Sequence, residues 1–384
     1  MAPITKQIAV TLNMIVPLVD LQAQYKTIKP EIDLAVKEVI ESQRFILGET
    51  VSDFESNVAQ YCEARHAIGV SSGTDALLIS LMAAGIGPGD EVITTPFTFF
   101  ATAGVISRVG ATPVFVDIDS STYNIDPNCV QAAINSSTKA IIPVDIFGQP
   151  CELDIIMEIA QAHGIVVIED AAQAIGATYK RKPIGSLADF TCFSFFPTKN
   201  LGGYGDGGMV LTESDESAER LRILRAQGSS PKYFHPYIGG NFRLDALQAV
   251  ILDAKLPFID DWNRMRGVNA AEYKRLLATL EYDGFVNTPE SRPYASHVFN
   301  QYSIQTQFRD KVRKHLKENG VATEVYYPLP LHLQDCFKHL GYTIGDLPKA
   351  ESVCETILSL PVFPELNEHQ QQYVVNMIEE YFGS

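Results

Sequence analysis

Three short segments of this chain carry residue types that can hold an anion, pair with a basic ring nitrogen and form an imine, in that order. Val70-Ser71-Ser72-Gly73-Thr74-Asp75-Ala76-Leu77 follows an apolar run and opens a helical pattern. Free amides at a helix start, the positive end of its dipole and the hydroxyls of Ser72 and Thr74 make an anion cradle, and Gly73 lets the backbone approach closely. The same residues also suit an ordinary N-cap. Residues 165–177 (IVVIEDAAQAIGA) end a buried run on Asp170, with Gln173 one turn later. A carboxylate there can pair with a protonated pyridine nitrogen and keep the ring acting as an electron sink, or it can cap the next turn. Residues 193–200 (FSFFPTKN) end an aromatic run on Lys199 and lead into the glycine-rich stretch 201–208. Lys199 is then either a solvated loop lysine or an amine confined between strand and loop, with a pKa lowered enough to react with an aldehyde. Each segment alone keeps its structural alternative. In sequence, anion cradle, strand-end Asp and strand-end Lys are the three contacts that an aldehyde-bearing pyridinium phosphate needs.

The surrounding pattern places all three at strand ends. Short β-rich apolar runs at 66–70, 91–95, 112–117, 140–146, 165–169, 190–195 and 209–211 alternate with helical stretches such as DALLISLMAAGI and ELDIIMEIAQAHG. This predicts an α/β fold with a mostly parallel seven-stranded sheet flanked by helices, whose ligands bind at the carboxyl ends of the strands. From Asn241 to about Leu280 the pattern is helical, and Pro257 should split that helix. Runs at 298–305 and 324–327, a helix around 309–319 and a terminal helix around 368–381 indicate a smaller C-terminal α+β domain. The expected division is a leader over 1–16, a large domain over 17–257 and a small domain over 258–384.

Composition narrows the partners. The chain has 384 residues and a formal net charge of −16, which disfavours nucleic acid because binding it needs a basic stripe. An anionic ligand must be held by local amides and a few basic side chains against the global field. The 6 cysteines are scattered, without a CxxC pair, so neither a disulfide framework nor a metal site is expected. No run approaches the roughly 18 apolar residues of a membrane span, and the N-terminus lacks the parts of a secretory signal. A cytoplasmic location is expected.

The chain also resembles the sugar aminotransferases of the DegT/DnrJ/EryC1/StrS group, within the fold-type I, aspartate aminotransferase-like enzymes. The resemblance runs from Pro17-Leu18-Val19-Asp20-Leu21 to the C-terminus and includes Ser72-Gly73-Thr74-Asp75-Ala76-Leu77, Thr98-Phe99-Phe100-Ala101-Thr102-Ala103, Glu169-Asp170-Ala171-Ala172-Gln173, Ser194-Phe195-Phe196-Pro197-Thr198-Lys199 and Gly240-Asn241-Phe242-Arg243-Leu244-Asp245. It implies pyridoxal 5′-phosphate as cofactor, with pyridoxamine 5′-phosphate as its intermediate form. Lys199 would be the Schiff-base lysine that also shuttles the proton. Asp170 would face the pyridine nitrogen, Gln173 the ring hydroxyl, and Phe99 would stack on the ring, with Phe97 as a neighbouring rival. Ser72, Gly73, Thr74 and Ser194 would contact the phosphate. Asn241 would reach the phosphate of the other subunit, implying a homodimer with shared sites.

The implied reaction passes the amino group of L-glutamate, which leaves as 2-oxoglutarate, to a nucleotide-linked keto sugar. The product would feed amino-sugar biosynthesis for surface polysaccharide or glycosylated metabolites. Dehydratase relatives typically carry histidine where this chain has Lys199, and a non-catalytic regulatory member is the other alternative. Tyr326, Tyr327 and His332 either contact sugar or diphosphate or pack the small domain on the large one. Lys232 and Arg243 are further candidate anion contacts. The segments 232–235 and 240–245 look closest to members acting on a 3-keto sugar nucleotide, with a 4-keto acceptor as the alternative. One position departs from the family pattern. Histidine is common ahead of the Tyr/Phe-Gly-Gln turn, whereas this chain reads Val144-Asp145-Ile146-Phe147-Gly148-Gln149-Pro150.

Overall fold

The computed structural model describes residues 14–383. Seven strands, β1 (His66–Val70), β2 (Glu91–Thr94), β3 (Thr112–Phe115), β4 (Thr138–Ile142), β5 (Val166–Asp170), β6 (Phe190–Ser194) and β7 (Gly208–Thr212), match the seven apolar runs within two residues at each end, except that β4 stops four residues short of the run at 140–146. They form one sheet in the order β1-β7-β6-β5-β4-β2-β3. β7 runs antiparallel to both of its neighbours, and the remaining pairs are parallel.

Side chains alternate across these strands and serve two cores. Ile93, Ile141, Val167, Phe193 and Met209 pack with Phe54 and Val58 of the helix Glu49–Tyr61, Ile156 of Leu153–His163 and Leu252 of Ala246–Lys255. Val92, Ile142, Ile168, Cys192 and Val210 point to the other face, against Leu77, Leu78 and Leu81 of Gly73–Ala83 and Leu221 of Asp215–Leu224. Both faces are thus covered, which is why the strands read as continuous apolar runs. Among the described residues no helix is long and apolar enough to cross a membrane.

Pro257 lies in a one-turn 3-10 segment, Leu256–Phe258, between the helices Ala246–Lys255 and Ile259–Leu276. A third core follows. It joins β8 (Tyr302–Gln305) and β9 (Ile357–Leu360), which pair antiparallel, with the helices Arg309–Glu318 and Glu368–Phe382. The run at 324–327 forms no strand: Glu324 bridges to Ser359, and Val325 is buried in this core. Val16, at the end of the expected leader, is fully buried in this core and bonds through its N–H to the Gly320 carbonyl at 3.0 Å. Residues 1–13 of that leader lie outside the described residues. The third core also takes in Phe97, Val144, Ile146 and Phe147 from loops at the carboxyl edge of the sheet.

β1 is an edge strand, and a buried ion pair holds it. Glu55 Oε1 accepts from the Gly69 N–H at 2.7 Å and from Arg225 Nη1, which also donates to the Gly69 carbonyl at 3.0 Å. Helix Glu49–Tyr61 and the end of helix Asp215–Leu224 are thereby clipped onto both polar groups of one β1 residue. Removing one partner leaves the other charge buried and unpaired, a loss on the order of 3 kcal/mol. Glu55→Ala is expected to lower the urea midpoint by that much stability, and an unchanged midpoint would refute the clip.

Candidate functional site

The carboxyl ends of β1, β5 and β6, the loops after β2 and β4, and the approach to β7 surround a cavity of about 420 Å³. Its walls include Ser72, Gly73, Thr74, Phe99, Asp170, Gln173, Ser194, Lys199 and Tyr326. The three segments singled out from sequence therefore meet in one place.

At the first wall, helix Gly73–Ala83 starts directly from the end of β1. Ser72 is its N-cap, and its Oγ accepts from the Asp75 N–H at 3.1 Å. The N–H groups of Gly73 and Thr74 have no hydrogen-bond partner among the described residues. Capping and anion cradle are thus not alternatives here: the side chain caps while two free amides face the cavity. The glycines permit this closeness. A Cβ on Gly73 would sit 2.6 Å from Ser194 Cβ, and one on Gly208 would sit 2.4 Å from the Ser72 carbonyl carbon.

At the second wall, Asp170 closes β5 and is nearly enclosed. Its Oδ2 accepts from Thr102 Oγ1 at 2.8 Å, and its Oδ1 from the Ala172 N–H at 3.2 Å. The Thr102 hydroxyl in turn meets Thr98 Oγ1 at 2.9 Å. Burial pushes the Asp170 carboxyl up, while these donors and the Lys199 amine work against that rise. A cation placed against it would keep it ionised.

Lys199 sits in the turn that follows β6, and its Nζ has no hydrogen-bond partner among the described residues. Desolvation pulls its amine down to about 8, with Asp170 opposing the change. Such an amine has a substantial neutral fraction near neutral pH and is a competent nucleophile.

Gln173 is fixed at the side of the cavity. Its Oε1 accepts from the Phe147 N–H at 2.6 Å, and its Nε2 lies 3.5 Å from Tyr327 Oη. The two candidate aromatics separate cleanly. Phe97 is fully buried, in ring contact with Tyr123, Phe147 and Tyr327, whereas Phe99 is 59% exposed and lines the cavity.

Four residues predicted for the site do not line this cavity. Asn241 is exposed and makes an isolated bridge to Ala226. Lys232 is exposed, with its amine 5.0 Å from the Tyr233 ring centroid. Arg243 bridges to Val70, beside the start of the cradle. His332 is buried, and its Nε2 is 3.2 Å from Glu351 Oε1. Conversely, Thr98 and Thr102 belong to the site or its support, and Tyr327, already a candidate from sequence, lines the cavity. Thr102 was present in the TFFATA segment, but nothing in its spacing there announces a bond to a carboxylate 68 residues away.

Comparisons with known proteins bear on the family and the fold. The family model described as DegT/DnrJ/EryC1/StrS aminotransferase family matches residues 26–379. The chain is similar to a pleiotropic regulatory protein from Geobacillus stearothermophilus, 55% identical over 96% of this chain and 99% of that one. It is similar to a UDP-N-acetyl-3-dehydro-alpha-D-glucosamine 3-aminotransferase from Acidithiobacillus ferrooxidans, 45% identical over 96% and 98% of the two chains. Among solved structures it resembles DesV from Streptomyces venezuelae in complex with a ketimine intermediate, with a TM-score of 0.92, 41% identity and coverage of 95% and 98%. A family match across nearly the whole chain and a shared fold at such identity lead to one assignment: this chain belongs to the DegT/DnrJ/EryC1/StrS aminotransferase family.

Proposed function

We propose that the chain transfers the amino group of L-glutamate to a nucleotide-linked 3-keto sugar, using pyridoxal 5′-phosphate held in the 420 Å³ cavity. The observation that carries this reading is the unpartnered Lys199 amine, pulled down to about 8, in one cavity with a buried carboxyl and two free helix-start amides. That donor set fits the cofactor: the amides, Ser72 and Ser194 would hold the phosphate, and Asp170 the ring nitrogen. Gln173 would lie at the ring hydroxyl, and Phe99 would cover a ring face. When bound, the cofactor supplies a carbonyl for the amine and a ring that withdraws electrons.

The chain's own residues do the rest. Thr102, bonded to Asp170, fixes the direction of the carboxylate. The Phe147 N–H does the same for Gln173. Lys199, with an amine that gains and loses a proton near neutral pH, moves the proton at the substrate carbon in both half-reactions. The 3-keto choice is supported by the name of the Acidithiobacillus relative. The Geobacillus relative's name favours a regulatory reading, but a non-catalytic protein has no need of a reactive lysine paired with a buried carboxyl.

Asn241 is exposed and does not line the cavity of its own chain, and Tyr233, Phe234 and Ile238 nearby are 79%, 69% and 92% exposed. A homodimer in which this segment approaches the partner's cavity accounts for both facts.

A panel of 3-keto and 4-keto nucleotide sugars offered with glutamate should give 2-oxoglutarate and an amino sugar with a 3-keto member. Turnover confined to 4-keto members overturns the 3-keto choice, and no turnover with any member favours the regulatory reading. Lys199→Ala should reduce turnover by at least about 1,000-fold. In the apoprotein, amine-reactive labelling of Lys199 should rise through a midpoint of about 8, since only the neutral amine reacts, and a midpoint at the ordinary 10.5 contradicts the desolvated pocket. Mixing inactive Lys199→Ala and Asn241→Ala subunits should restore activity, because one site of each mixed dimer then has both residues. No recovery on subunit exchange refutes sharing.

A further inference from the structure

Behind the Asp170 wall lie two carboxyl groups that the reaction does not use. Asp145, in the turn after β4, and Glu169, the penultimate residue of β5, are both fully buried. Asp145 Oδ1 accepts from the Cys151 N–H at 2.9 Å, and Glu169 Oε2 from Thr191 Oγ1 at 2.7 Å. The other two oxygens, Asp145 Oδ2 and Glu169 Oε1, have no donor elsewhere among the described residues. Val144 and Asp170 form a parallel bridge, so the flanking Asp145 and Glu169 lie side by side on the opposite face of the sheet, where their free oxygens can meet. The titratable groups whose charge bears on them are Cys62 and Cys151 and, across the sheet, Asp170 and Cys192, with no such cation among the described residues. Two carboxylates in contact in such a place cannot both be ionised, and a bond between their oxygens requires a proton.

We propose that Asp145 and Glu169 share one proton, Asp145 donating to Glu169, and that this bond is the positioning element of the cavity's inner wall. It joins the turn at 144–149 to β5. The Asp145 N–H donates to the Asp170 carbonyl at 3.0 Å, Val144 and Ile146 line the cavity, and the Phe147 N–H holds Gln173. Loss of the bond would loosen Asp170 and Gln173 together, with neither being altered. The consequence for the cofactor rests on the contacts proposed above, whereas the proton itself does not.

Because native protein holds a proton that the unfolded chain releases above the ordinary carboxyl range, the pair stabilises the fold less as pH rises. Around neutral pH the unfolding constant gains a factor of ten per pH unit from one such proton. Asp145→Asn offers Glu169 an N–H without a titratable proton. Its unfolding constant should therefore vary with pH by one proton less than that of the wild type, and equal slopes overturn the proposal. Asp145→Ala keeps neither the donor nor the acceptor for Cys151. Pyridoxal phosphate should bind it at least tenfold more weakly than it binds Asp145→Asn, and equal affinities overturn the positioning role. Should Asp145→Asn fail to fold, infrared spectra of wild-type protein labelled with carbon-13 aspartate must show a protonated carboxyl band at neutral pH, and its absence overturns the shared proton. These readouts do not use transfer activity, so an incorrect acceptor sugar would leave them intact.

Discussion

Close backbone approach at the carboxyl edge of the sheet is the constraint on which this structure turns. The ends of β1, β6 and the antiparallel β7 come together so tightly that Gly73 and Gly208 leave no room for a methyl group. The helix starting at Gly73 can then aim its free amides into the space that Ser194 and Lys199 also enter. β1, an edge strand with only one neighbour, is kept in register by Glu55 and Arg225. Strand geometry, the edge clip and the amide cradle form one chain of cause.

Electrostatics within that edge run against the charge of the molecule as a whole. The chain carries a formal charge of −16, yet the cavity must accept an anionic ligand. Fixed amide dipoles accomplish this without adding net charge, and desolvation acts more strongly there than the distant surface field. Burial also moves Asp170 and Lys199 toward each other in proton affinity, raising the acid and lowering the amine. Their environments, rather than their residue types, make them a workable pair.

The parallel core was legible because strands covered on both faces need apolar residues at every position, a pattern that survives without knowledge of neighbours. The order of Ser72, Asp170 and Lys199 was legible because strand ends are where such sheets bind ligands. β9 was not anticipated: helix Pro348–Thr356 passes into Ile357–Leu360 with no glycine or proline between them. Thr98 and Thr102 stayed hidden for a different reason. Their roles come from contacts across the fold, and a hydroxyl bonded to a carboxylate looks in sequence like any helical threonine. His332 is buried against Glu351, a contact that its surroundings in sequence do not announce.

Phe97, Val144, Ile146 and Phe147 belong to the third core, yet they sit in the loops that frame the cavity. Packing density and binding volume are consequently one variable on that side. A smaller side chain deep in the third core opens space that the cavity can claim, and a larger one is pushed toward the ligand. Changes in acceptor size can thus arise from residues that never touch the acceptor, and they carry a change in fold stability with them.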